Sequence, residues 1–240
     1  MLIAIPSKGR AGNLPSALVL PSATMFVPEG EVDAYKKHHR NPVVGVPSSV
    51  RGITPTRNFI LDSTKQPFVV MIDDDVQYCG YRTLTEERID IHQITDENVW
   101  HGEFAKLFEV AISAGARIWG LATVSAAWSY RPWRPFIFRT YITASCMGIL
   151  NDSGIRFDER FVVKEDYELC LRCLKEDGLV IGARFLHWQN RHWTTEGGCK
   201  TYRTSEVEAN ATKLLESMYP GLVERAPGRG GSEFSIELRV

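Results

Sequence analysis

The chain lacks an excess of charge of either sign. Its 240 residues carry 28 basic and 29 acidic side chains, a formal net charge of −1. No global field draws it to a polyanion, so nucleic-acid binding would need a local basic patch. Cysteine is also scarce: Cys79, Cys146, Cys170, Cys173 and Cys199 are an odd number without framework spacing. This excludes a disulfide scaffold and fits the reduced thiols of an intracellular protein. Cys170 and Cys173 form a CxxC, but within a helical pattern, where core packing is expected rather than redox or zinc chemistry. No apolar run approaches a membrane span, and Met1 leads into a strand without a basic region and signal core. The expected location is the cytoplasm, with no membrane partner. Neither an internal repeat nor a linker divides the chain, and its length suits one α/β domain.

What is present is an acidic strand end. Residues 68–75 read Phe-Val-Val-Met-Ile-Asp-Asp-Asp. The unbroken apolar run predicts a strand buried on both faces. The three carboxylates after it are too costly to bury unpaired, and they stand where open α/β sheets place ligands. Asp73 and Asp75 lie two apart and would share a face, an arrangement suited to a hard divalent cation such as Mn²⁺ or Mg²⁺.

Strands are expected at Leu2–Pro6, Thr24–Val27, Val43–Val46 and 68–72. Helices are expected at Glu31–His39, from Gly52–Arg57 onward, and at Glu97–Ala114, where Phe104, Leu107, Phe108, Ala111 and Ile112 recur at helical spacing. That alternation predicts a mixed, mostly parallel sheet flanked by helices. In the second half, strands are expected at Ile118–Val124, Tyr141–Leu150 and Leu179–Leu186, and helices through Phe161–Lys175 and Ser205–Met218. The domain is placed at residues 1–220, with 221–240 as a tail that is loose until Phe234.

Four further pieces bear on the aspartates: Lys8-Gly9-Arg10 after the first strand, Arg57-Asn58 on the preceding helix, Lys164-Glu165-Asp166 opening a helix, and His187 with His192 nearby. In this order they resemble glycosyltransferases of the GT-A fold, over nearly residues 1–200. The resemblance implies that Asp73 and Asp75, with His187 or in its place His192, hold Mn²⁺ or Mg²⁺ against the diphosphate of a nucleotide sugar, a UDP-hexose. Asp74 would position ribose or sugar hydroxyls. Pro6, Lys8, Arg10, Arg57 and Asn58 would border the nucleotide. Glu165 or Asp166 would meet the acceptor hydroxyl, as general base in an inverting reaction. The opening Ile-Pro-Ser-Lys-Gly-Arg and the Lys-Glu-Asp-Tyr-Glu-Leu-Cys-Leu-Arg helix resemble the phage TET-associated glycosyltransferases. That narrower resemblance implies DNA containing a hydroxymethylated pyrimidine as acceptor. The nucleotide-sugar half would be about 1–117 and the acceptor half about 118–220.

Blander readings stand beside these. Three aspartates also make a solvated turn, Glu165-Asp166 also makes a helix cap, and a lone His187 is commonly structural. An aspartyl-nucleophile phosphatase would want Thr or Val where Gln77 stands. Transfer to a glycan, lipid or protein hydroxyl is the alternative reaction, and a non-catalytic sugar-nucleotide-binding module the alternative class. Arg131, Arg134 and Arg139 alternate with Tyr130, Trp133, Phe136 and Phe138, a mixture that suits base stacking with phosphate contacts but also a packed hairpin. The loop His192–Gly198 would be a lid or a surface loop.

Overall fold

A computed structural model of the chain describes residues 1–85, 88–122, 130–190, 202–226 and 236–239. The first half alternates β1 (Leu2–Pro6), α1 (Pro15–Val19), β2 (Thr24–Pro28), α2 (Val32–His38), β3 (Val43–Val46), α3 (Ile53–Asp62) and β4 (Phe68–Ile72). A hairpin follows, β5 (Val76–Leu84) and β6 (Ile89–Gln93), then α4 (Glu97–Ala114), β7 (Ile118–Ala122), β8 (Phe136–Ile137) and β9 (Cys146–Leu150). The chain closes with α5 (Glu165–Glu176), β10 (Ile181–Asn190), α6 (Ser205–Met218), β11 (Val223–Arg225) and β12 (Ile236–Leu238).

Among the described residues one sheet takes the order β3-β2-β1-β4-β9-β7-β10-β5-β6, with β8 on β10. β1–β4 are mutually parallel, β7 is parallel to β10, and β5, β8 and β9 run against their neighbours. This is the expected mixed, mostly parallel sheet flanked by helices.

The acidic strand shows why its apolar run is continuous. Val70 and Ile72 turn to one face, where α4 supplies Trp100, Phe104, Leu107 and Phe108. Val69 and Met71 turn to the other, where α3 supplies Ile60 and Leu61 and α5 supplies Leu169, Cys170 and Cys173. Alternate side chains therefore feed two cores. A third cluster joins Leu171 of α5 and Phe161 to Ala211 and Leu215 of α6 and Ile236 of β12. Helix α4 keeps the bounds its periodicity predicts, with Asp96 capping it by accepting from the Asn98 N–H (2.9 Å).

Three expectations change. The hairpin β5–β6 and the one-turn α1 fill segments the sequence leaves unassigned. The strand expected from Tyr141 begins only at Cys146, because residues 138–145 cross the sheet face instead of joining it. Gly120 makes room for that crossing: a Cβ there would lie 2.6 Å from Ile142 Cβ. The strand expected at Leu179–Leu186 runs on to Asn190, so His187 lies inside β10, fully buried.

Gly148 of β9 carries the Trp119 indole where its own side chain would be, the ring lying 2.0–2.3 Å from an added Cβ. Gly148→Ala is therefore expected to destabilise the fold by ~2 kcal/mol, the scale of overpacking in a filled core. Urea titration of the two proteins measures it.

Candidate active site

Because β1 and β4 are parallel neighbours, the residues after both leave the sheet at the same edge. Ser7 follows β1. Its hydroxyl donates to Asp74 Oδ2 (2.6 Å) and shares a hydrogen bond with Tyr35 Oη on α2 (2.8 Å). The Arg10 guanidinium pairs with Asp74 Oδ1, and the Arg10 N–H donates to Tyr35 Oη (3.0 Å). Both oxygens of the middle aspartate are thus engaged, and the Ser7–Arg10 loop is fixed across the end of β4. Lys8 is exposed on that loop, and Pro6 is buried at the end of β1.

Asp73 is held at its backbone by two clips. Its N–H donates to Ser145 O (3.0 Å), and its carbonyl accepts from Ser16 Oγ (2.6 Å), which in turn accepts the Val76 N–H (2.9 Å). Its carboxylate meets Arg57 (3.2 Å). The side chain keeps 35% of its surface, yet the surrounding protein is dense enough that burial pushes its pKa up to about 7. Arg57 opposes that rise, while Asp75, Asp74 and Glu165 add to it. Asp75 has a fully buried Oδ1 with no hydrogen-bond partner among the described residues. Buried polar oxygens are almost always satisfied, and one left over at a strand end is a place for a ligand.

Arg57 is the hinge of this arrangement. It projects from α3, is itself buried, and faces Asp73 with one nitrogen and Glu165 Oε1 with another (3.3 Å). Its neighbour Asn58 turns elsewhere, accepting the Phe157 N–H (2.8 Å) and donating to Phe157 O (3.0 Å) and Glu159 Oε1 (2.9 Å). Asn58 therefore anchors the loop before α5.

Glu165 and Asp166 open α5 on the far side of Arg57. Burial raises the Glu165 pKa, the Asp166 charge raises it further, and Arg57 opposes both. Asp166 is the more accessible of the two. Its Oδ2 accepts from Tyr141 Oη (2.6 Å) and the Ala144 N–H (3.3 Å), and its Oδ1 from the Tyr167 N–H (3.0 Å). The Tyr141 and Tyr167 rings stack beside it, centroids 4.1 Å apart. Lys164, immediately before the pair, has φ +63°, the one positive φ outside glycine among the described residues. Such a backbone costs about 1–3 kcal/mol and persists only where its surroundings fix it. Here Lys164 Nζ is tied to Glu208 Oε2 on α6 (2.8 Å).

His187 sits three strands along the sheet from β4, opposite Gly80 of β5. Its Nε2 is 3.3 Å from Gln189 Oε1, and its ring lies 6.1 Å from that of Tyr78. Among the described residues no three His, Cys, Asp or Glu side chains form a ready metal shell, Asp73, Asp75 and His187 included. His192 and the loop to Gly198 lie outside the described residues. Sequence reasoning gave no site role to Ser7, Ser16, Tyr35 or Tyr141, and named Lys164 only as the residue before the carboxylate pair. Only Ser7 and Lys164 carried a signal, their adjacency to residues already singled out.

Acidic residues at the end of a central parallel strand thus stand beside a basic loop, with a second carboxylate pair opening α5, the arrangement whose sequence resembles the GT-A glycosyltransferases. The family model for TET-associated glycosyltransferases matches residues 1–198, and the chain belongs to that family. None of the curated proteins matches it significantly. Among solved structures it is similar to a mycobacterial protein (TM-score 0.51, 11% identity, covering 98% of this chain and 82% of that one). It is also similar to mannosyl-3-phosphoglycerate synthase from Rubrobacter xylanophilus (TM-score 0.48, 15% identity, 99% and 82%). A third is S. aureus TarS 1-349 (TM-score 0.43, 11% identity, 78% and 60%), of which this chain spans less than two thirds. Among the described residues no helix is long and apolar enough to cross a membrane.

Two outcomes follow for the buried charges. Arg57→Met leaves Glu165 buried without its cation and is expected to cost at least ~3 kcal/mol in denaturant unfolding, with Arg57→Lys recovering only part. The raised pKa of Glu165 stabilises the fold below the ordinary glutamate value of 4.5, and that contribution is lost as pH rises and the buried carboxyl must ionise. Glu165→Gln, which cannot ionise, should therefore gain thermal stability relative to the wild type between pH 5 and pH 8. Melting curves at the two pH values read this difference.

Proposed function

We propose that this protein transfers a hexose from a nucleotide sugar, a UDP-hexose, to a hydroxyl group, with 5-hydroxymethylcytosine in phage DNA as the preferred acceptor. The observation that carries the donor side is the buried Asp75 Oδ1 without a partner among the described residues, beside the burial-raised Asp73. Hard carboxylate oxygens left in this state fit a divalent cation, Mn²⁺ or Mg²⁺. Asp73 and Asp75 would hold it, and His192, the substitute once β10 runs on past His187, is the candidate for a further ligand. The cation would supply neutralisation of charge developing on the departing nucleoside diphosphate.

The chain's own residues do the rest. Arg10, fixed by Asp74 and Tyr35, offers a pre-positioned guanidinium edge beside the diphosphate. Lys8 stands exposed on the same loop. Asp74, buried against Ser7, sets that loop for the ribose and sugar hydroxyls. Asp166 meets the acceptor hydroxyl. Tyr141 and two backbone N–H groups orient its carboxylate, the positioning that a group accepting a proton requires. Glu165 stays behind it, joined through Arg57 to Asp73. On this reading residues 1–117 carry the donor chemistry and 118–220 the acceptor chemistry, with Ile236 of the 221–240 segment packed against α5 and α6 behind them, in a protein working in the host cytoplasm.

Incubation with a panel of sugar nucleotides, Mn²⁺ and hydroxymethylated DNA, followed by mass analysis of nucleosides, tests the reaction. A hexose is expected on the modified cytosine, and Asp75→Ala should abolish the metal-dependent turnover. Unchanged turnover in that variant would refute the metal site, and a hexose found only on a glycan or protein acceptor would refute the DNA reading.

A further inference from the structure

The proposed donor and acceptor chemistry leaves one charged surface unused. The Arg134 N–H donates to Arg131 O (2.9 Å), closing a tight turn with Pro132 and Trp133 at its tip. Proline in the second position presets such a turn. Trp133 is 77% exposed, and Phe138 nearby is exposed as well. Tryptophan is usually well buried, and this one stands out on a turn between two exposed arginines. Arginines flank it along the chain. Arg131, Arg134 and Arg139 are exposed. Arg184 donates its N–H to Pro135 O (2.7 Å), and Arg82 reaches Arg184 O (3.3 Å) with its guanidinium 5.0 Å over the Tyr130 ring. These cations disfavour one another: burial and then Arg184 lower the Arg82 pKa to about 10, and burial and then Arg134 lower that of Arg184.

We propose that this turn docks a DNA strand, with an unpaired base stacked on Trp133 and adjoining phosphates met by Arg131 and Arg134. In a chain of net charge −1 it supplies the local basic patch that such binding needs. An aromatic platform between cations suits any base, because every base offers a π-face. The turn also leads directly to the acceptor carboxylate. Eight residues on from Trp133 stands Tyr141, the Asp166 partner, a reach of at most about 29 Å of extended chain. The proposal rests on DNA being the acceptor.

The test is fluorescence anisotropy of a labelled single-stranded oligodeoxynucleotide across a salt series. Nucleotide-sugar hydrolysis and thermal melting are the controls. Arg131→Ala with Arg134→Ala should flatten the slope of log K against log salt by about 1.4, two phosphates' worth. Trp133→Ala should weaken binding at least about fivefold at every salt concentration, with Trp133→Phe keeping most of it. Hydrolysis and melting should not change. Wild-type affinity in these variants overturns this docking site and leaves DNA standing as acceptor. Loss at the arginines with none at Trp133 overturns base stacking and makes the patch a general polyanion surface. A wild-type protein with no DNA affinity at low salt overturns both the site and the DNA acceptor.

Discussion

The rest of the site depends on one buried cation. Arg57 reaches from α3 between Asp73 at the end of β4 and Glu165 at the start of α5. Burial pushes both carboxyls toward their neutral forms, Arg57 opposes that rise at each, and the guanidinium could not be buried without them. The two acidic elements therefore cannot move independently. A planar, permanently charged fork suits this role, because it holds two partners in fixed directions where an ammonium would hold a point.

Around that cation the polar groups form two separate sets. Ser7, Arg10 and Tyr35 close on Asp74. Tyr141, Ala144 and Tyr167 close on Asp166. Each set is nearly satisfied internally, which fixes its geometry before any substrate arrives, the condition for electrostatic preorganisation. Asp75 is the exception among the three aspartates, with its buried oxygen unmatched in the described protein. The strained backbone at Lys164 joins the Asp166 set to α6 through Glu208, so the third hydrophobic cluster also contributes to where Asp166 points.

The elements set by periodicity were legible in the sequence. The run Phe68–Ile72, the α4 pattern and the alternation of the first half fixed the sheet's core and the edge where the aspartates emerge. Residues whose role depends on contacts distant in the chain were not legible. Arg57 reads as a residue bordering the nucleotide, because nothing local reveals that Glu165, over a hundred positions later, will sit beside it. Asn58 reads the same way, yet its amide serves the Phe157 backbone. Tyr141 lies in what reads as a strand, because β-propensity is shared by a chain crossing a sheet face and a chain joining it. His187 reads as lying past a strand, since the strand's polar continuation, Gln189 and Asn190, breaks the apolar pattern.

The crossing segment 138–145 has an evolutionary consequence. It is pinned from below where Ile142 occupies the space over Gly120, and at its end where Ser145 receives Asp73. The turn just upstream is exposed, with Trp133 at its tip. With the acceptor docked on that turn as proposed, drift in residues 131–134 would retune what the protein recognises and leave the Tyr141–Asp166 contact in place. Related chains that diverge in their targets would be expected to concentrate their differences in that turn, while the sheet edge beneath stays constant.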